Sequence, residues 1–419
     1  MKNLKKILSL SLALILIAIP LTVATSCTKD NGGNVTTLYV YNWGEYMSDG
    51  SEGSLDSNKA FENWYFDTYG ERVKVSYSTY SSNEDMYAKL SGGAVNYDVI
   101  VPSDYMIERL IKEDALAPLD YTNIPLAAQN LSSSFFGKDA EFDYYDKGNV
   151  YSVPYFYGMI GIIYNTTMVD EEDIGSWSLM WNEKYKNNIL QFNNSRDAFG
   201  TAQYYLGIDV NTDDEAEWRR ALELLKAQKG IVQGYVMDEI FNKMEGGSAA
   251  IAAYYAGDFL SMYENNPDLE FFYPAEGTNL YVDAMCIPKT SENKLIAERY
   301  INFMLSVDEK YGAPAIANAE YTYYASPNRA VIENEDYRDY MNEIKDDGYD
   351  KMYATENVHA TPYKNLDSKE LIMINNLWEE LKSDIEISPV IIIMCVAIVA
   401  ALAGTIVFFG IRKRYRNNY

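Results

Sequence analysis

The order of predicted strands and helices in residues 37–101 constrains the fold more than any other feature of the sequence. Residues 37–42 alternate β-branched and aromatic side chains, which is typical of a strand. The following segments predict two helices and two further strands, in the order 58–69, 73–77, 83–90 and 97–101. The last of these strands contains an uninterrupted apolar run over residues 99–101, which indicates a parallel strand that is covered on both faces. This alternation of strand and helix predicts an open α/β sheet.

The rest of the body is predicted to belong to the same α/β class, although its sequence is not a repeat of the first part. Two short strands, interrupted at Pro154, are predicted over residues 150–164. Helices and strands are further predicted at 215–229, 237–244, 249–255, 279–287, 291–305 and 367–382. Ser291 is the expected N-cap of the helix over 291–305. A chain of 419 residues is long enough for two domains or for one large domain with two lobes.

The charge of the chain limits the class of ligand. The formal net charge is -26, and the body of the chain has no cluster of Lys or Arg. Nucleic-acid binding needs such a basic patch, so this function is excluded. An acidic body is compatible with a cationic ligand.

Residues 1–27 have the pattern of a secretory signal. Three lysines precede an apolar run over residues 7–23, and Ala24-Thr-Ser-Cys27 follows. The small residues before Cys27 resemble a bacterial lipoprotein site, at which the cysteine is lipidated, and an uncleaved anchor helix is the alternative. Residues 28–36 have no apolar period and are predicted to be a tether. Both alternatives place the body of the protein outside the cytoplasm.

The other end of the chain carries a second membrane feature. Residues 387–411 form an uncharged apolar run that is long enough to cross a bilayer. Four basic residues lie in the tail, residues 412–419, and the excess of positive charge predicts that the tail is cytoplasmic. The sequence therefore predicts an extracellular body that is anchored by a transmembrane helix.

The few histidines and cysteines restrict the chemistry of the chain. His359 is the only histidine, which argues against imidazole metal sites and against Ser-His or Cys-His catalysis. Cys286 lies in an apolar strand and Cys395 in the predicted span, so no disulfide framework is expected. The paired glycines lack the spacing of a phosphate-binding loop. No cofactor and no metal site are predicted.

Several segments at predicted strand ends or in loops carry carboxylates or hydroxyls, and all of them except 193–197 also carry an aromatic ring. They are Trp43-Gly-Glu-Tyr46, Pro102-Ser-Asp-Tyr105, Asn193-Asn-Ser-Arg-Asp197, Tyr255-Ala-Gly-Asp258, Tyr281-Val-Asp283 and Tyr323-Tyr-Ala-Ser-Pro-Asn328. Exposed aromatic faces suit an organic cation or a sugar ring, and packing in the core is the alternative for each ring taken alone. A buried ammonium group requires paired carboxylates, so the combination favours an amine ligand.

Longer motifs carry a resemblance to a known family. They include Tyr41-Asn-Trp-Gly-Glu-Tyr46, Asn83-Glu-Asp-Met-Tyr-Ala-Lys-Leu90, Tyr97-Asp-Val-Ile-Val-Pro-Ser-Asp-Tyr105, Ser152-Val-Pro-Tyr155, Asp283-Ala-Met-Cys-Ile-Pro288 and Ile301-Asn-Phe-Met-Leu305. Through them, residues 37–384 resemble the spermidine/putrescine-binding proteins of bacterial ABC importers. The resemblance implies a type II periplasmic-binding-protein fold with two α/β lobes that close on the ligand by a hinge motion. Lobe one is expected to comprise residues 37–153 and 282–331, and lobe two residues 154–281 and 332–384.

The same resemblance implies the function and its residues. The chain would be a receptor without enzymatic activity that passes a polyamine to the permease of an ABC importer, which an ATPase drives. The implied ligand-binding residues are Trp43, Glu45, Tyr46, Ser103, Tyr105, Asn194, Asp197, Tyr255, Asp258, Tyr281, Asp283 and Tyr324. Among them, Asp197 and Asp283 would each receive an ammonium group. Arg196 would orient the loop of Asp197 without meeting the ligand, since a guanidinium repels an amine.

Three positions bear on which polyamine is bound. Asn194 stands where the spermidine-preferring members have Asp, and Asp258 matches the acid of the putrescine-preferring members. Lys364 falls near the family's last Gln contact, where a lysine would oppose a third amine. These departures favour putrescine over spermidine.

Other functions are compatible with parts of this pattern. A ferric-ion-binding protein of the same fold would use adjacent tyrosines, such as Tyr323-Tyr324 and Tyr254-Tyr255, as iron ligands. A glycosidase would use two carboxylates such as Glu45 and Asp197. A polyamine-sensing ectodomain would have the same body and the same anchor.

Overall fold

The computed structural model describes residues 35–93, 95–353 and 358–383. The predicted signal with Cys27, residues 28–34 of the tether, the predicted span 387–411 and the tail 412–419 lie outside these residues. Within the described ranges, no helix is both long enough and apolar enough to cross a membrane.

The strands that the structure describes form one sheet with parallel groups at both sides and an antiparallel centre. They are β1 (Thr36–Trp43), β2 (Val73–Tyr80), β3 (Val99–Ile100), β4 (Ser152–Asn165), β5 (Ile189–Phe192), β6 (Val232–Val236), β7 (Ile251–Tyr255), β8 (Leu269–Phe272), β9 (Thr278–Cys286) and β10 (Ala360–Pro362). The order is β2-β1-β3-β9-β4-β7-β5-β6, with β10 on β9 and β8 on β4. β1 is parallel to β2 and β3, and β5 is parallel to β6 and β7.

Helices connect these strands and cover the sheet. In chain order they are α1 (Ser57–Tyr69), α2 (Asn83–Ser91), α3 (Asp104–Lys112), α4 (Pro125–Asn130), α5 (Ser195–Leu206), α6 (Glu215–Lys229), α7 (Glu239–Glu245), α8 (Ala256–Asn265), α9 (Lys294–Met304), α10 (Pro314–Thr322), α11 (Arg329–Ile332), α12 (Glu335–Ile344), α13 (Gly348–Met352) and α14 (Ser368–Ser383). The predicted series of strand, helix, strand, helix and strand is confirmed by β1, α1, β2, α2 and β3.

Local signals explain why α1 has these bounds. The carboxylate of Asp56 caps the helix by accepting the N–H of Lys59 at 2.8 Å. Phe61 and Tyr65 are fully buried, which places an aromatic stripe of the helix in the core. Gly70 ends the helix in the left-handed conformation, with φ at 72°.

The long strand β4 joins the two halves of the sheet. Its first part, up to Met159, pairs with β9, and its second part, from Ile160, pairs with β7. All of its residues are buried. The predicted interruption at Pro154 is wrong, because a register shift between Pro154 and Phe156 accommodates the missing N–H within a continuous strand. Strands shared in this way support the predicted lobes, whose residue boundaries stay a prediction.

Two predicted boundaries move because of tertiary contacts. The helix expected at Ser291 begins at Lys294, and Ser291 lies in the preceding turn, where its hydroxyl donates to Asp98 Oδ1 at 2.7 Å and accepts the N–H of Asn293 at 3.2 Å. Strand β1 extends one residue beyond its predicted end, because Trp43 pairs with Tyr80 of β2.

β3 and β7 run in opposite directions, and the connections that follow them both begin near the middle of β4 and β9, where Ser103 pairs with Asp283 and Tyr255 with Ile160. Helix α3 follows β3, α5 follows β5 and α8 follows β7 directly. In an α/β sheet, the carboxyl ends of the strands form the edge of the ligand crevice. The short connections after these strands therefore position the candidate site.

Candidate ligand-binding site

One cavity collects all of the side chains that the sequence singled out as ligand-binding. Its wall includes Trp43, Glu45, Tyr46, Ser103, Tyr105, Asn194, Asp197, Tyr255, Asp258, Tyr281, Asp283 and Tyr324. The centre of a water-sized sphere can occupy about 60 Å³ of this cavity. Since a single water needs on the order of 10–15 Å³ by this measure, the space suits a slender ligand. That these residues bind a ligand stays a prediction.

The wall of this cavity is strongly acidic. Its carboxylates are those of Glu45, Glu84, Asp197, Asp238, Asp258 and Asp283. Among the described residues, the cavity wall includes no Lys, Arg or His. A low-dielectric cleft lined by charges of one sign concentrates counter-ions, so this cavity attracts cations.

Asp283 lies on β9, and one of its carboxylate oxygens accepts a hydrogen bond while the other has no partner among the described residues. The hydroxyl of Tyr46 donates to its Oδ2 at 2.6 Å. Its Oδ1 is buried and has no hydrogen-bond partner among the described residues. Burial raises the pKa of Asp283 to about 6, although the nearby hydroxyls of Ser103 and Tyr46 oppose the shift. The unpartnered Oδ1 is available to an N–H donor of a ligand.

Asp197 is held by a network at the start of α5. Asn194 is the N-cap of this helix, and its Oδ1 accepts the N–H of Asp197 at 2.8 Å. The Asn194 amide and the Tyr255 hydroxyl both donate to Asp197 Oδ2, each at 2.7 Å. Burial raises the pKa of Asp197, and these two hydrogen bonds oppose the shift. Asn194 therefore positions Asp197 in addition to lining the cavity.

Asp258 lies in the first turn of α8, immediately after β7. The Tyr324 hydroxyl donates to Asp258 Oδ2 at 2.9 Å. Burial raises the pKa of Asp258 to about 8, and the negative charges of Asp238 and Glu45 contribute to the rise. A cation close to this carboxylate would lower its pKa again, because it stabilises the charged form.

Alternate residues of β9 face the cavity. Because strand side chains alternate, Asn279, Tyr281 and Asp283 lie on one face, and all three line the cavity. The Tyr281 hydroxyl and Asn279 Oδ1 are buried without a partner in the described part of the chain. Gly158 on β4 makes room for this face, since a Cβ there would lie 2.5 Å from the Tyr281 hydroxyl oxygen.

Tyrosine rings pack edge to face around the cavity. The ring centroids of Tyr46 and Tyr324 are 4.8 Å apart, with the planes at 84°. Those of Tyr255 and Tyr281 are 5.5 Å apart, with the planes at 81°. This packing fixes the rings, and ring faces beside a cation stabilise it by about 0.5–2 kcal/mol each.

Other lobe-one residues complete the wall. The indole N–H of Trp43 donates to the carbonyl of Val101 at 2.9 Å, which fixes the ring at the end of β1. The Tyr105 hydroxyl donates to Glu84 Oε1 at 3.0 Å. Glu45 has a left-handed backbone with φ at 36°. Desolvation raises the pKa of its carboxyl, and the charge of Asp238 adds a smaller increase.

Sequence reasoning attached no ligand-binding role to several polar or aromatic residues of the wall, among them Glu84, Asp238, Asn279 and Tyr363. Glu84 lies within the motif that starts at Asn83, but no role was attached to it. Asp238 follows the end of β6 and precedes α7, which is the same strand-to-helix position as that of Ser103. Position relative to strand ends was therefore the signal that could have found Asp238.

Two basic residues lie outside the wall. The Arg196 guanidinium lies 4.4 Å from the ring centroid of Tyr363 and donates to the carbonyl of Val210 at 3.3 Å. Lys364 is exposed, and in the described structure it is not part of the cavity wall. The expectation that Lys364 opposes a third amine is therefore wrong, because Tyr363 and not its neighbour faces the cavity.

Comparison with protein families identifies the chain. The family of bacterial extracellular solute-binding proteins matches residues 59–357. The chain belongs to this family. It is therefore a receptor for solutes and not an enzyme, which removes the glycosidase alternative.

Relatives of this solute-binding protein confirm the resemblance seen in the sequence. The spermidine/putrescine-binding periplasmic protein of Salmonella typhimurium is 33% identical over 317 residues, which is 75% of this chain and 83% of the relative. The putrescine/cadaverine-binding protein of Pseudomonas aeruginosa is 30% identical over 360 residues, covering 82% and 93% of the two chains. A putative spermidine/putrescine ABC transporter structure from Listeria monocytogenes is 31% identical, with a TM-score of 0.70 over 83% of this chain and 99% of that chain. These matches show the two-lobed α/β fold.

The iron-binding alternative is not favoured by the arrangement of the tyrosines. The Tyr324 hydroxyl donates to Asp258, whereas the hydroxyl of the adjacent Tyr323 donates to Glu264 at 2.6 Å. Tyr323 is not part of the cavity wall in the described structure. Burial also raises the pKa of both phenols, which disfavours the phenolate form that binds ferric iron.

Proposed function

We propose that the chain is an extracellular receptor that captures a polyamine between its two lobes and delivers it to an ABC importer. The observation that carries this proposal is the acidic cavity, which lacks basic residues among those that the structure describes. An ammonium group is stable in a buried site only if carboxylates pair with it. The names of the relatives from Salmonella typhimurium and Pseudomonas aeruginosa support the same ligand class.

The carboxylates form two groups that suit the two ends of a diamine. Asp197 raises the pKa of Asp283, which places these two acids in one electrostatic neighbourhood. The pKa of Asp258 is instead raised, beyond the effect of burial, by the charges of Asp238 and Glu45. After burial, the charges of Asp283 and Asp258 both raise the pKa of Tyr281. The ring of Tyr281 contributes to the cavity wall. Apolar burial of the methylene chain would add about 0.8 kcal/mol for each CH₂.

Calorimetric titration of the purified full-length chain tests this proposal. The ligands are putrescine, spermidine, spermine and ferric citrate. We expect one-to-one binding of at least one polyamine and no binding of ferric citrate. Failure of all three amines to bind would contradict the proposed function, and a visible charge-transfer band with ferric citrate would favour the iron-binding alternative.

We further propose that putrescine is preferred over spermidine, because Asn194 supplies no charge next to Asp197. Replacing Asn194 by Asp retains a capping side chain and adds a second carboxylate there. Two adjacent carboxylates repel each other unless a cation lies between them, so the added acid favours a ligand with a third ammonium group. We expect the affinity ratio of spermidine to putrescine to rise by about fivefold or more, which corresponds to an added charge interaction of about 1 kcal/mol.

Asn193→Asp is the matched control for this substitution. Asn193 is the exposed neighbour of Asn194, so the control makes the same change of charge outside the cavity wall. We expect the control to leave the ratio unchanged. An unchanged ratio in Asn194→Asp would contradict the role of Asn194, and a wild-type chain that binds spermidine tenfold more tightly would contradict the preference.

We also propose that the receptor is held at the outer face of the cell membrane. The apolar run 387–411 and the basic tail 412–419 support a C-terminal anchor, and the segment before Cys27 supports a lipid anchor. Tethering raises the local concentration of the receptor around the permease of its importer.

A further inference from the structure

Asp238 occupies a helix N-cap position but does not act as a cap. Its side chain accepts no hydrogen bond from the backbone of α7 in the described structure. Aspartate at this position ordinarily accepts one. Asp56 and Asp214 do so at the starts of α1 and α6. Asp238 is an exposed residue that lines the cavity instead.

Asp238 meets the opposite side of the cleft at Gly44. A Cβ at Gly44 would lie 2.8 Å from Asp238 Oδ2, so this approach requires glycine. The next residue, Glu45, belongs to the same cavity wall. Gly44 and Glu45 follow β1 of lobe one, whereas Asp238 follows β6 of lobe two. The two carboxylates therefore approach the cavity from different lobes.

This end of the cavity holds like charges without an internal counter-ion. Glu45, Asp238 and Asp258 line it, and the wall has no basic residue among those described. The charge of Asp238 raises the pKa of both Glu45 and Asp258, after the larger effect of desolvation. Closing the lobes brings these negative charges together, which costs free energy unless a cation lies among them.

We propose that Asp238 is a ligand-binding residue, which together with Glu45 and Asp258 holds one ammonium group of the polyamine. Because Asp238 and Glu45 belong to different lobes, the same cation bridges the lobes at this end. The inference rests on the proposed polyamine-binding function and adds to it a residue that the sequence motifs did not indicate.

Asp238→Asn tests this role with little change of shape. We expect the affinity for putrescine to fall by about tenfold or more, which is the range for a hydrogen bond to a charged group. The loss should appear mainly as faster dissociation, since the cation no longer bridges the lobes. The midpoint of thermal unfolding without ligand should stay unchanged or rise, because a source of repulsion is removed. The increase in this midpoint on adding putrescine should become smaller.

Asp213→Asn is the matched control, because Asp213 is an exposed aspartate of lobe two outside the cavity wall. A double-mutant cycle with Glu45→Gln tests whether the two acids share one ammonium group. Each single variant leaves one of the pair in place, so we expect the double variant to lose at least about threefold more affinity than the product of the single losses.

Three results would overturn this inference. The first is an Asp238→Asn variant that binds putrescine within twofold of the Asp213→Asn control. The second is a double-mutant cycle in which the double variant loses as much affinity as the product of the two single losses. The third is a wild-type chain that binds no amine, which would overturn the proposed function as well. Amine binding by the wild type with no effect of Asp238→Asn would overturn the inference alone.

Discussion

Asp283→Asn is expected to lower the affinity for putrescine by at least about 30-fold. Removing one partner of a buried, hydrogen-bonded charge pair costs about 2–5 kcal/mol, and each 1.4 kcal/mol or so is a factor of ten in affinity. Asp283 is 4% exposed, and its Oδ1 has no other partner in the described structure. Water therefore does not replace the lost carboxylate, and the ammonium group would remain buried without its charge partner.

The fold should tolerate this substitution. The amide oxygen of Asn can still accept the hydrogen bond that the Tyr46 hydroxyl donates to Asp283 Oδ2. The unliganded variant also avoids the cost of a buried charge. We therefore expect thermal unfolding of the ligand-free variant to match that of the wild type.

The measurement is calorimetric titration at a pH above 8, where the carboxyls of the site are ionised. Asp114→Asn is a suitable control, since Asp114 is an exposed aspartate of lobe one outside the cavity wall. If Asp283→Asn bound putrescine within threefold of this control, Asp283 would not be an ammonium ligand.

The affinity for putrescine is also expected to depend steeply on pH. In the ligand-free protein, burial raises the pKa of Asp258 to about 8 and that of Asp283 to about 6. Aliphatic amines keep their charge over this range, since the pKa of Lys is about 10.4. Binding requires ionised carboxylates, so it releases protons wherever the free site holds them. The affinity should therefore rise with pH and level off above about pH 8.

The number of protons released on binding sets the size of the pH dependence of the affinity. Release of one proton per ligand corresponds to about tenfold in affinity for each pH unit. Between pH 6 and pH 8, release from Asp258 alone gives a change of about 10–100-fold, and Asp283 adds to it towards pH 6. Titrations in buffers with different ionisation enthalpies would measure the released protons directly.

The same pKa shifts affect the stability of the ligand-free protein. Both folded-state values lie above the unfolded value for Asp of about 3.9. The contribution of these groups to stability is therefore complete below about pH 4, and it is lost as the pH rises through about 6 and then about 8. Putrescine should offset this loss, so its effect on the unfolding midpoint should be larger at pH 8 than at pH 6.

Asp258→Asn provides the control for the pH dependence. It should weaken binding at pH 8 and should flatten the dependence above about pH 7, because it removes the group with the higher pKa. An affinity of the wild type that stayed constant, or fell, from pH 6 to pH 8 would contradict the proposed role of the buried carboxyls.

The sequence was sufficient to predict the elements whose signals are local. The α1 helix illustrates this, since its cap at Asp56, its buried Phe61 and its final Gly70 are all close in sequence. Most residues of the site were also predictable, because motifs such as Trp43-Gly-Glu-Tyr46 follow the carboxyl ends of strands, and these ends border the ligand crevice of an α/β fold.

The predicted ends of helices and strands were wrong where a residue distant in the sequence determined the local structure. Ser291 lies in the turn before the expected helix, where its hydroxyl donates to the distant Asp98 and accepts the N–H of Asn293, and the helix begins at Lys294. Pro154 does not interrupt β4, because a register shift against β9 removes the need for its N–H. Neither outcome follows from local propensity, since each depends on a partner far away in the chain.

The sequence by itself determined the family, the α/β class and most of the aromatic and acidic residues that line the cavity. Only the tertiary structure decided which oxygen of Asp283 is left without a partner, how Asn194 holds Asp197, and that Asp238 meets Gly44 across the cleft. The physical reason is that composition and motifs record which groups are present, whereas pKa values and unpaired atoms depend on burial. Burial arises only when residues that are distant in the sequence pack together around the cavity.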